Sequence, residues 1–287
     1  MNTDTAPYIN LVKQVQHLLS LPTVCLKVME MINQPRTTSR DLEKVLLQDP
    51  PLTAHLLKMA NSPFYGMRSR IDTLSRAVSV IGTRRIANLV LAVSAVKTFS
   101  KMTNGIISIE NFWQHSIYCG VIAGLLATLC GRKHDESIFV AGLLHDIGQL
   151  IIFSKKPDET REALTRMQSD TADHALYHYE NQVLGFNHMQ VGAELARSWK
   201  LPDKLVTCIA CHHHPDKASA HQLEVSLVHI ANTLANLAEL HSTDLADVPA
   251  IHAQAWDCTG LEPDQVTAVI AQAQQQFEET QAALLAA

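Results

Sequence analysis

Apolar positions recur at helical spacing along nearly the whole chain. Leu42, Val45 and Leu46 form an i, i+3, i+4 stripe, and Thr38-Ser39-Arg40-Asp41 ahead of it reads as a capping box. Asp49-Pro50-Pro51 ends that helix and opens the next, with Asp49 as cap and Pro50 at the first helical position. Leu52, Leu56 and Met59 continue on one face until Asn61-Ser62-Pro63, because a residue before Pro avoids the α region. Asp72 is the expected cap of a helix carrying Leu74, Val78 and Ile81. Gly82 breaks it, and Thr83 restarts one with Ile86, Leu89, Val90 and Val93. The pattern lapses near Met102-Thr103-Asn104-Gly105, which sets an expected boundary between residues 1–105 and 106–287.

Beyond the boundary the helices become more apolar. One runs from Asn111 to Gly131, and a second buried helix is expected from Phe139 to Ser154. Residues 155–175 are polar and read as a surface helix and loop. Amphipathic segments follow at Gln190–Trp199, Lys204–His212 and Val225–Leu240, and Pro263 opens a last helix with Val266, Ile270, Ala273 and Phe277 on one face. No alternating strand or hairpin is found, so the expected fold is all-α.

Composition narrows the class. The 287 residues are 47% apolar, enough to bury a large core. A formal charge of −5 argues against a chain that coats nucleic acid or an anionic membrane. The start, Met1-Asn2-Thr3-Asp4, lacks the basic and apolar parts of a signal peptide. The apolar run from Ile117 to Cys130 is too short to span a bilayer. These features predict a cytoplasmic protein whose 6 Cys are reduced thiols.

The chemistry lies in the 15 His. His145-Asp146 sits in the run Gly142-Leu143-Leu144-His145-Asp146-Ile147-Gly148, with His115 upstream and His188, His212, His213 and His214 downstream. Polar groups on such apolar helices must find partners or cost a few kcal/mol each, of order a lost buried hydrogen bond. A shared divalent ion would satisfy several together, and core histidines hydrogen-bonded to their neighbours are the alternative. His and carboxylate ligands suit iron, manganese, zinc or magnesium, one ion or two. Such an ion activates water and neutralises phosphoryl oxygens. His17, His55, His134, His221, His241 and His252 lack companions in the sequence.

Two other signals are set aside. Cys208-Ile209-Ala210-Cys211-His212 has the spacing of a haem attachment motif but no export signal, and no second thiol pair completes a zinc site. Arg68, Arg70, Arg76, Arg84 and Arg85 flank two short helices as in a helix-turn-helix, but the apolar residues there form a continuous packing stripe.

Taken together, Asp49-Pro50-Pro51-Leu52, Ala60-Asn61-Ser62-Pro63, Ile81-Gly82, Phe112-Trp113-Gln114-His115-Ser116, Ala141 to Gly148, His188 to Ala193, Trp199-Lys200-Leu201-Pro202 and His212-His213-His214-Pro215 resemble the HDOD family. That family is a branch of the HD superfamily of metal-dependent phosphohydrolases. The resemblance implies a multi-helix bundle with two helical lobes, 1–105 specific to HDOD proteins and 106–287 HD-like. It implies a metal set of His115, His145 and Asp146, with His188, His212 and His213 matching additional ligands of the related HD-GYP enzymes. Three departures stand out. Asn232 occupies the place of a late Asp and, as a neutral amide, is a weaker ligand. Gln149 stands where many HD hydrolases have Lys, and no Gly-Tyr-Pro segment follows His213. The resemblance therefore implies a bacterial regulator that binds a signalling partner or small ligand. The alternative is a phosphohydrolase in which Asp146 holds the ion and orients water for attack on a phosphoester.

Overall fold

A computed structural model describes residues 6–62, 65, 69–100, 102, 105–133, 135–170 and 175–285. Thr103, Asn104, Pro63, Arg68 and His134 lie outside the described residues, so the boundary, the helix stop and the basic stretch are seen only in part. Among the described residues the fold is helical, with no strand.

The first part of the chain contributes α1 (Pro7–Val15), α2 (Thr23–Met31), α3 (Ser39–Leu46), α4 (Pro50–Ala60), α5 (Leu74–Ile81) and α6 (Thr83–Phe99). The capping box of α3 is formed: the Thr38 hydroxyl accepts from Asp41 N while Thr38 N donates to Asp41 Oδ2. Asp49 caps α4 by accepting from Leu52 N at 3.0 Å, with Pro50 in the first turn. The cap of α5 is Thr73 rather than Asp72. The Thr73 hydroxyl accepts from Arg76 N, while Asp72 is drawn outward into an exposed ion pair with Arg70. Gly82 has φ +97°, a value L side chains rarely adopt, and α5 and α6 meet there at 117°. Leu74, Val78, Ile81 and Ile86 are all buried, so the apolar face of this corner packs into the core.

The second part contributes α7 (Ile109–Leu129), α8 (Glu136–Leu144), α9 (Ile147–Lys155), α10 (Pro157–Ser169), α11 (Leu176–Leu184), α12 (His188–Ser198), α13 (Asp203–Cys211), α14 (Gln222–Glu239), α15 (Ala253–Thr259) and α16 (Pro263–Leu284). α7 is central, packed by α8, α14 and α16. The expected helix from Phe139 to Ser154 is two helices. It breaks at His145-Asp146, where Asp146 (φ −100°, ψ 9°) leaves the α conformation and stands just ahead of α9 without a side-chain capping bond. α12 begins at His188, two residues before the amphipathic segment expected from Gln190.

One hydrophobic cluster runs from Leu11 to Leu284 and includes residues on both sides of position 105. α1 packs on α12, α6 on α8, and the buried Trp199 indole donates to Leu19 O at 2.8 Å. Ile109–Leu129 and Glu136–Lys155 are long and apolar enough to cross a bilayer, which corrects the expectation drawn from the shorter apolar run. α7 begins eight residues before that run, at positions that mix polar residues with Ile109, Phe112 and Trp113, and so gains length. Their apolar surface is turned into the fold, with 67% and 83% of the two stretches buried.

Candidate metal centre

The break between α8 and α9 puts Asp146 at the middle of the site. Its close packing depends on Gly148. A Cβ there would lie 2.0 Å from His188 O and 2.6 Å from Gly192 N, so only Gly lets α9 meet the start of α12. That contact delivers His188 to Asp146. The end of α13 delivers His212 and His213 from another side, and α7 delivers His115.

Ligand atoms of Asp146, His188, His212 and His213 lie within 4.8 Å of one another, as do those of His115, His145 and Asp146. Asp146 belongs to both groups. His188 Nε2 and His212 Nε2 stand 3.3 and 3.2 Å from Asp146 Oδ1, and His145 Nε2 stands 3.2 Å from Oδ2. His145, His188 and His212 are wholly buried. Yet His145 Nε2, His188 Nε2, His212 Nε2 and Asp146 Oδ1 make no well-aligned hydrogen bond. They are gathered instead around the Asp146 carboxylate, at ion-pair distance.

The other ring nitrogens explain how the imidazoles are aimed. His145 Nδ1 faces Gly142 O at 2.7 Å, His212 Nδ1 faces Ile209 O at 3.0 Å, and His188 Nδ1 faces Glu180 Oε2 at 2.7 Å. These oxygens only accept, so each Nδ1 carries a proton, and each Nε2, the atom left to ligate an ion, is turned inward. Glu180 also accepts from His188 N at 2.8 Å, fixing the residue twice. Behind His212, the His212 carbonyl accepts from His229 Nδ1 at 2.7 Å, and His229 Nε2 accepts from His252 N at 3.0 Å. His213 packs between the rings of Tyr177 and His212, with centroids 4.8 and 4.3 Å away.

Charge is distributed unevenly. Burial disfavours the Asp146 carboxylate, but His145 and His188 beside it prevail and hold it well below the usual carboxylate range. Burial likewise opposes charge on His188, but Glu180 and Asp146 raise it to about 10. His145 is raised well above its ordinary value, Asp146 and Cys119 outweighing burial. His212 is pushed down to about 4 and His213 well down, both chiefly by burial. The donor set, its inward Nε2 atoms and its orphaned Asp146 Oδ1 fit a divalent ion.

The His115 side is different. His115 Nδ1 lies 2.8 Å from Glu239 Oε1, and its Nε2 lies 3.0 Å from Asn232 Oδ1. Asn232 thus reaches the site through His115. Gln149 Nε2 donates to Asp146 Oδ2 at 2.9 Å, engaging one oxygen of the shared carboxylate. A cavity of about 1010 Å³ opens over Asp146, His115, His188, His213 and Asn232.

Every residue singled out from the sequence, His115, His145, Asp146, His188, His212, His213 and Asn232, lies in this one place. Glu180 and Glu239 were not foreseen. Glu239 lies seven residues after Asn232 on the same face of α14, a spacing that could have flagged it. Glu180 sits on α11 with no spacing that points to His188. Cys208 and Cys211 are free thiols, and burial pushes both up.

An all-helical fold enclosing a His-Asp centre defines a protein of the HD type. The chain belongs to the HDOD domain family, which it matches over residues 18–215. An uncharacterized protein of Treponema pallidum (strain Nichols) is 28% identical over 226 residues, 76% of this chain and 42% of that protein. Ribonuclease Y of Lactobacillus gasseri is 33% identical over 105 residues, 36% of this chain. This chain spans 14% of that ribonuclease, and less than half of either relative. A proposed phosphohydrolase from Shewanella amazonensis SB2B shares the fold, with TM-score 0.76 and 24% identity over 96% of this chain and 97% of that one.

Proposed function

We propose that this HDOD protein is a regulatory module that binds a small phosphoester at a divalent-metal centre, in a cytoplasmic setting and in concert with a signalling partner. His188, His212, His213 and Asp146 hold a first ion more tightly than His115 and His145 hold a second. The observation that carries this reading is the set of three buried imidazoles whose Nδ1 atoms are all engaged and whose Nε2 atoms turn, unpartnered, toward Asp146. Imidazole-rich ligation favours a first-row transition metal over magnesium. When bound, the ion supplies a Lewis acid for a phosphoryl oxygen. Around it, Asp146 balances charge, Glu180 orients His188, and Gln149 fixes the Asp146 carboxylate.

Purified protein is expected to carry iron, manganese or zinc, and His188→Ala is expected to carry less. Equal, near-zero metal in both by elemental analysis would sink the reading.

Hydrolysis of the bound ester is the second reading, supported by the complete imidazole set and by the likeness to ribonuclease Y. Two features favour binding over cutting. Asn232 replaces a carboxylate, and no Lys or Arg is found among the described residues lining the cavity. A phosphodiesterase screen with iron, manganese and zinc separates the two. Turnover above an Asp146→Ala control supports hydrolysis, and none supports the binding role.

A further inference from the structure

Three helices turn polar faces into the cavity. On α7, Asn111, Gln114, His115 and Tyr118 recur at i, i+3, i+4 and i+7, a polar stripe on an otherwise buried helix. On α14, Asn236 lies one turn beyond Asn232, and on α16, Gln274 lies one turn before Phe277. The wall above the metal centre therefore sets carboxamides and aromatic rings among aliphatic side chains such as Ile106, Met167 and Leu176. Asn111, Gln114 and Asn236 make no side-chain hydrogen bond among the described residues, while Gln274 only reaches Glu278 along its own helix at 3.3 Å. Phe277 and Tyr118 meet edge to face, with centroids 5.0 Å apart.

Carboxamides offer a donor and an acceptor side by side, which matches the amide-like edge of a nucleobase. Aromatic faces add stacking without regard to base identity. A free sugar would be better served by carboxylates, and the one on this wall, Glu239, is already engaged by His115. A wall without Lys or Arg also leaves extra phosphate charges uncompensated.

We infer that Asn111, Gln114, Asn236 and Gln274, with Phe277 and Tyr118, form a specificity subsite for the base of a nucleotide of low charge. This rests on the phosphoester reading above, in which the phosphate lies at the metal centre.

The test uses the full, metal-loaded chain and calorimetric binding of AMP, GMP, CMP, UMP, ribose 5-phosphate and ATP. At least one nucleoside monophosphate is expected to bind about tenfold or more tighter than ribose 5-phosphate, a step of the size one good base contact gives. ATP is expected to bind no tighter than AMP. Gln114→Ala with Asn236→Ala should bring the monophosphate-to-ribose 5-phosphate ratio toward unity while metal content stays. If ribose 5-phosphate binds as tightly as every monophosphate, the base subsite is wrong and the phosphoester site stands. Tighter ATP binding would also overturn the subsite as drawn. Binding of none of these compounds to metal-loaded protein would overturn both.

Discussion

The two candidate ligand groups share Asp146 but are built differently at their far ends. In one, His188 and His212 are wholly buried, each held by an internal acceptor and each presenting an unpartnered Nε2. In the other, His145 is held the same way, but His115 is partly exposed and hydrogen-bonded at both nitrogens, to Glu239 and Asn232. Adding an ion to the first group displaces no well-aligned hydrogen bond at the Nε2 atoms of His188 and His212. Adding one to the second must displace the His115–Asn232 contact, and Asn232 brings no charge to offset that of the ion. On the proposed reading, the same residue types in proximity would make sites of unequal strength, decided by what the nitrogens of each imidazole touch.

The largest effect should come from the shared residue. Asp146→Ala is expected to reduce bound metal to background, since it removes a ligand from both groups. Metal retained at the wild-type level would break the comparison outright. Gly148→Ala should act through packing, because its Cβ would collide with the backbone at His188 and Gly192. A loss of about 3 kcal/mol or more is expected in denaturant unfolding, at the upper end for overpacked cores, together with loss of metal. Unchanged stability would show that α9 and α12 are not held so close.

Asn232→Asp sharpens the contrast from the other direction. Restoring a carboxylate beside His115 should raise metal content toward a second ion, seen by elemental analysis. His115→Ala should leave most of the metal in place, and a loss as deep as that of Asp146→Ala would argue for one undivided site.

Proton release gives a finer count. Near neutral pH, His188 and His145 hold protons that metal ligation must expel. Filling the first group should release about one proton and filling both about two, measured by calorimetry in buffers of different ionisation enthalpy. The smallest effect is on metal-free stability at acid pH. His212 stays neutral in the fold down to about 4, against an ordinary 6.5. Between those values the unfolded chain binds more protons, so stability falls as pH falls. Thermal unfolding of metal-free protein across this window should show a declining Tm.

The fold was legible where local chemistry decides it. Capping at Thr38 and Asp49, the turn at Gly82 and the Pro263 start are set by neighbours in sequence. Asp72 was misassigned because Thr73 offers an equally good cap one residue on, and the nearby Arg70 draws Asp72 away. The continuous apolar pattern from Phe139 to Ser154 hid the break at His145-Asp146, since both halves are buried all round and hydrophobic periodicity carries no signal there. The inward-facing ligand residues could be named from motifs. Glu180 could not, because its role depends on α11 lying against the start of α12, a tertiary contact without a sequence period.

The most direct test is an anomalous difference map from crystals of protein purified without chelator. A strong metal peak bounded by Asp146, His188, His212 and His213, with a weaker peak or none between His115 and His145, is the expected result. Ordered side chains in these positions with no metal peak, after soaking with manganese or zinc, would contradict a metal centre in this protein.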